Sequence, residues 1–156
     1  QKKAIKLLLK GDKRLEKLDT LGALDMYQKA LYMDTTLADS YAKISDIYVY
    51  QRKYDKALNL LNTGLRITMD VPKDPESISH LYSIRSFLHF NMNKYGSAIT
   101  DLDQAILLNK TNPNYFYMRA LIRRMNGDEK GCCKDLRKAI ALGMDSAKVY
   151  QENYCN

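Results

Sequence analysis

Residues 95–106 read Tyr-Gly-Ser-Ala-Ile-Thr-Asp-Leu-Asp-Gln-Ala-Ile, with Ala98, then Leu102 four places on, Ala105 three further, and Ile106 beside it. The same arrangement recurs as Ala23, Tyr27, Ala30, Leu31, as Ala57, Leu61, Gly64, Leu65, and as Cys132, Leu136, Ala139, Ile140. The leading residues stand 34, 41 and 34 places apart. Steps of three, four and seven put all four residues of each copy on one face of a helix. Small side chains on that face let a second helix approach closely. A motif that returns at such a period marks stacked helical units, a solenoid, which works as a binding surface more readily than as a catalyst.

Each copy has a partner segment upstream. Sixteen residues before the leading small residue stand Leu7, Tyr41, Tyr82 and Phe116; twelve before it stand Gly11, Ser45, Ser86 and Ala120. Each unit is therefore a helix with a large anchor and a small contact residue, a short turn, and a second helix with its own small contacts. This pattern resembles the tetratricopeptide repeat, over roughly residues 4–142. Tyr54 and Tyr95 stand where that family places an aromatic before the second helix, while Thr20 and Glu129 depart from it. The proline that closes the family's second helices is missing. Pro75 and Pro113 instead open the following helices, behind the capping candidates Asp74 and Asn112.

The expected fold is all-α: a right-handed solenoid of four helix pairs and a C-terminal capping helix, in one domain spanning 1–156. The repeats run over about 4–37, 38–71, 79–112 and 113–143. The 41-residue step holds an insertion at about 70–77, with two prolines, expected as a longer loop or an extra turn on the next helix. Gly143 stops the last repeat helix, and Ala147, Tyr150 and Tyr154 give residues 146–154 helical spacing, which suits the cap a solenoid end requires.

The formal charge is +7. Basic residues concentrate in the first helix and in the last repeat, where Arg123, Arg124, Lys130, Lys134, Arg137 and Lys138 cluster. They aid solubility, and as a functional feature they suit an acidic protein partner, an anionic surface or nucleic acid. Nucleic acid is disfavoured, because the cations do not line one face with interleaved aromatics. No apolar run reaches membrane-spanning length. A leading Gln suits cleavage by signal peptidase after a small residue, which leaves a processed chain and a trimmed one as the two readings of Gln1.

Of the three cysteines, Cys132 takes a small-residue place and is expected to be buried. Cys133 begins the last repeat's second helix and Cys155 ends the cap. Helix geometry leaves both a bridge and two free thiols open for that pair. The stretch from Gly131 to Leu136, with Ala141-Leu142-Gly143 and Tyr154-Cys155, resembles the end of tetratricopeptide proteins of the Bacteroidetes that are often exported. That resemblance implies a Cys133–Cys155 disulfide and an extracytoplasmic site, periplasmic or secreted, over a cytoplasmic one. No metal site or cofactor is expected, since there is no Cys-x-x-Cys and His80 and His89 are too few and badly spaced.

The repeats can also be compared with one another. Thirteen places before the leading small residue stand Arg85 and Arg119; three places after it stand Asp101 and Asp135. Repeat two has Ile44 and Leu60 at those places, and repeat one Lys10 and Met26. Arg arrives with Asp and apolar with apolar, which predicts structural Arg–Asp pairs.

In the family the first helices line a concave groove that binds peptides. Its outward places include Asp39, Ala42, Asp46, Val49 and Tyr50 in repeat two. Repeat three offers His80, Ser83, Phe87, Phe90 and Asn91, and repeat four Asn114, Tyr117, Leu121, Arg124 and Met125. The family's carboxylate clamp needs Lys, Asn and Arg where this chain has Asp12, Asp46, Phe87 and Leu121. The candidate partner-binding residues are therefore apolar: Tyr50, Phe87, Phe90, Tyr117 and Leu121, matched to a protein or peptide with apolar anchors. No catalytic constellation or phosphate loop stands out, so a non-enzymatic interaction scaffold is expected. The alternatives are a self-associating assembly module, hence a homo-oligomer, and a repeat protein that binds RNA.

Overall fold

The structure is a computed structural model that describes residues 1–69 and 74–155. Among these residues the chain forms nine helices. They are α1 (Lys2–Glu16), α2 (Thr20–Met33), α3 (Ala38–Tyr50), α4 (Tyr54–Met69), α5 (Pro75–Asn91), α6 (Tyr95–Leu108), α7 (Pro113–Met125), α8 (Glu129–Ala141) and α9 (Ala147–Tyr154). No strand is present among them. Of the expected insertion, residues 70–73 lie outside the described residues. Residues 75–77 form the first turn of α5, which at 17 residues is longer than the other helices described. Asp74 accepts the Ser77 backbone N–H at 3.2 Å, and Asn112 accepts that of Asn114 at 3.0 Å, so both prolines enter helices behind a side-chain cap.

The turn between the two helices of each pair repeats in its backbone as well as its length. Leu18, Arg52, Asn93 and Gly127 carry φ of +62°, +57°, +57° and +84°. They stand at the same 34, 41 and 34 steps as the helix motif. The left-handed residue is a property of the turn, and only Gly127 meets it without a Cβ clash. The start of the second helix is solved in two ways. Asp19 and Asp128 each accept a backbone N–H three residues on, from Gly22 and Gly131, at 2.8 Å. A Cβ at either glycine would lie 2.1 Å or less from the capping carboxylate. In repeat three, where the cap position is Lys94, no side chain caps the helix and Tyr95 takes its first place.

The chain divides into two compact units, Gln1–Ile84 and Arg85–Asn156, with the division inside α5. In the first unit, Leu8, Ala23, Tyr27, Ala30, Ile44 and Ile47 form a buried cluster, with Leu7, Leu31 and Leu60 packed beside it. α1 and α2 approach so closely that a Cβ at Gly11 would lie 2.4 Å from the Tyr27 ring, and α3 and α4 so closely that one at Gly64 would lie 2.6 Å from the ring of Tyr41. Both rings are buried. The Tyr27 hydroxyl donates to Asp12 at 2.8 Å, so the large anchor and the glycine opposite it are one packing unit. In the second unit, Phe116, Ala120, Cys132, Leu136, Ala139 and Ala147 form the buried cluster, with Ile106, Tyr117, Ile140 and Cys155 against it. Ala147 is fully buried, which places α9 over the end of the last repeat.

Candidate interaction surfaces

In the second unit the paired positions are joined by charge. Arg85 donates from Nε and Nη2 to the two carboxylate oxygens of Asp101, at 3.0 and 2.6 Å. Arg119 does the same to Asp135, at 2.8 and 2.7 Å. The Asp101 and Asp135 side chains are 4% and 3% exposed, which leaves them reliant on these partners. Each carboxylate has a further basic neighbour. His89 Nδ1 lies 3.0 Å from Asp101 and Arg123 Nη1 lies 2.9 Å from Asp135. Arg119 also reaches Asp103, at 2.5 Å. Burial works against the Arg119 charge, but Asp135 and Asp103 together hold its pKa above the ordinary value. The place of His89 and Arg123 beside these carboxylates was not read from the sequence. The signal was there: each stands four residues after its arginine, at equivalent places of two repeats.

The residues singled out for partner binding have different surroundings. In the first unit, Tyr50 ends α3 and is 86% exposed. It borders a recess of about 480 Å³ whose other walls include Leu15, Leu18, Lys43 and Ile47. Leu18, at 89% exposed, is a second large apolar side chain in water there. In the second unit, Phe87 is 40% exposed. Phe90 is half-buried, its ring 5.8 Å from that of Tyr95. Leu121 is half-buried, and Tyr117 is half-buried with its ring edge-on to Tyr150 of α9 at 5.6 Å. Burial raises the Tyr117 hydroxyl pKa, with the Tyr150 hydroxyl adding to it. Arg124 lies over the Tyr154 ring, 3.3 Å from its centre. The cap helix thus covers part of the repeat-four face through aromatic contacts. Ala42 and Ser83, which the spacing put on outward places, are buried.

The cap is also bonded. Cys133 and Cys155 form a disulfide with a Cα separation of 5.5 Å, and Cys132 is a buried free thiol. Burial pushes the Cys132 pKa up, against the pull of Arg124. Among the described residues there is no group of three or more His, Cys, Asp or Glu side chains that could hold a metal ion, and no helix long and apolar enough to cross a membrane.

Paired helices with small contact residues, a repeated left-handed turn and a closing cap define the tetratricopeptide-repeat fold, and the chain has it. A crystal structure of MamA is similar at TM-score 0.69 and 24% identity, over 85% of this chain and 74% of that one. Pseudomonas aeruginosa pilF is similar at TM-score 0.75 and 18% identity, over 96% and 70%. The first tetratricopeptide domain of Spaghetti (RPAP3), bound to an HSP90 peptide, is similar at TM-score 0.67 and 21% identity, over 78% and 92%. No family model and no curated protein matches the chain.

Proposed function

We propose that the protein is a non-enzymatic interaction scaffold that takes a partner's peptide or helix by apolar anchors on its first helices. The observation that carries this reading is the exposure of large apolar side chains on those helices, Tyr50 at 86% beside its recess and Phe87 at 40%. Aromatic side chains left in water and rimmed by polar groups are typical anchoring points. Phe90, Tyr117 and Leu121, each half-buried, are the further apolar positions of this reading in the second unit. The fold favours the same reading, since the similar RPAP3 domain is bound to a peptide. The test is affinity capture from the native host with the wild-type chain, followed by calorimetry on the purified partner. Tyr50→Ala or Phe87→Ala should weaken binding by about 1–3 kcal/mol with helix content unchanged. Equal affinity for wild type and a Tyr50→Ala/Phe87→Ala double variant would exclude these anchors. Light scattering separates a scaffold from an assembly module, for which a second copy of the chain is the partner and the dimer persists on dilution.

The Cys133–Cys155 bridge supports an oxidising compartment, periplasmic or secreted, as the place of action. Thiol labelling of material taken directly from the host tests this. Labelling of Cys133 and Cys155 without prior reduction would place the protein in a reducing compartment.

A further inference from the structure

A recess of about 450 Å³ lies on the last repeat, lined by Phe116 and Arg119 of α7 and by Lys134, Asp135, Arg137, Lys138 and Ala141 of α8. Its charges are not balanced. Asp135 is turned inward and engaged by Arg119 and Arg123, and Arg119 spends its remaining nitrogen on Asp103. Lys134, Arg137 and Lys138 are exposed and make no ion pair among the described residues. The other acid of α8, Glu129, stands in its first turn. Lys130, Lys134, Arg137 and Lys138 are three and four residues apart, so like charges stand side by side along one helix, an arrangement that destabilises the helix unless an anion lies across it. Beside these cations the lining is apolar, with Ala141 exposed and a small part of Phe116 reaching the recess.

We propose that this recess docks an acidic segment of a partner protein. Its carboxylates would pair with Lys134, Arg137 and Lys138, and a small apolar side chain would rest against Ala141. A peptide segment suits the site better than nucleic acid, because Phe116 is only 7% exposed and offers no face for a base to stack on. It suits the site better than a lipid surface because the cations border a recess and not a flat face. Phe116 and Arg119 lie on a different face of α7 from Tyr117 and Leu121, so the site is separate from the anchors proposed above.

Fluorescence anisotropy with the whole chain tests the proposal. The probe is a labelled dodecapeptide built from repeats of Glu-Glu-Ala-Glu, compared with its Gln-for-Glu counterpart, phosphatidylglycerol vesicles and an oligouridylate. Lys134→Gln/Arg137→Gln/Lys138→Gln should weaken binding of the acidic peptide about tenfold or more, with binding falling as salt rises. Lys2→Gln/Lys3→Gln/Lys6→Gln removes the same charge from α1 and should change it less than about twofold. Tyr50→Ala/Phe87→Ala should leave it unchanged, which keeps failure here distinct from failure of the anchor reading. Circular dichroism checks that each variant keeps its helices. The proposal is overturned by absence of peptide binding, by equal losses in the two triple variants, by equal binding of the Gln peptide, or by tighter binding of vesicles or oligouridylate.

Discussion

The two units join their helix pairs with different chemistry at the same repeat positions. In the first unit, Ile44 is buried and Leu60 packs against its cluster. In the second, the equivalent places hold Arg85 with Asp101 and Arg119 with Asp135, each pair held by two hydrogen bonds. The difference shows that this contact can be closed by an apolar pair or by an ion pair, and Lys10 with Met26 in the first repeat is neither. An apolar pair gains from burial alone. An ion pair must recover the desolvation of two charges, so it is stable only while both partners are present. The first unit concentrates its polar risk elsewhere, on the Tyr27 hydroxyl and Asp12 beneath a glycine contact.

The largest effect is expected from breaking one half of a charged pair. Asp135→Ala removes the buried carboxylate shared by Arg119 and Arg123, leaving them only the exposed Asp103 and Asp128, and should cost about 3 kcal/mol in chemical denaturation. Arg85→Ile together with Asp101→Leu writes the first unit's solution into the second. That double variant should recover most of the loss of Asp101→Leu alone, measured as a coupling energy in a double-mutant cycle. Additive losses would mean that polarity at this contact is not free.

Next in size is the close approach in the first unit. Gly11→Ala pushes a Cβ to 2.4 Å from a ring that is fully buried, so either the helices or the ring must move. A loss of about 1–3 kcal/mol is expected. Gly11→Ser installs the residue type that the third repeat uses and should be no better tolerated, because Ser86 faces no such ring and donates to the Ala98 carbonyl at 2.9 Å.

A pH prediction separates the same two regions. Burial, with Asp12 second, raises the Tyr27 pKa well above the ordinary phenol value. The folded state therefore holds that proton more tightly than the unfolded chain. The resulting stability is fully present below the unfolded tyrosine pKa and is lost as pH rises from there toward the folded value. Alkaline unfolding of the first unit should move to higher pH in Tyr27→Phe, monitored by amide exchange across α1 and α2. An unchanged midpoint would remove Tyr27 as its cause.

The smallest expected effect lies in the turns. Leu18 is 89% exposed and holds φ +62°, where its Cβ is strained and buries little. Leu18→Gly copies Gly127 and should raise stability by about 0.5 kcal/mol, while Gly127→Leu should lower it. If the two changes have the same sign, the four turns are not energetically equivalent.

Much of the helical architecture was legible because its causes are local and repeated. Ala98, Leu102 and Ala105 state a buried face within eight residues, and three further copies state the same face. The prolines and their capping residues marked where α5 and α7 begin. Other features depend on atoms that the sequence does not place. Phe90 and Phe87 are three residues apart, yet one ring packs on Tyr95 and the other is left 40% exposed. Helical spacing fixes which face a residue takes but not what a neighbouring element brings against it.

The sequence by itself determined the repeat, its helices, the close-packed small residues and the matched pairs of Arg with Asp, because each rests on spacing along a helix or on substitution between copies. Only the tertiary structure decided that α9 folds its Tyr150 against Tyr117, that His89 and Arg123 lie beside the buried carboxylates, and that Lys134, Arg137 and Lys138 face a recess whose lining acid, Asp135, is engaged by arginines. Those are relations between side chains on different helices. They follow from how much room each packed pair leaves to its neighbours, a quantity set by side-chain volumes in three dimensions and not by residue order.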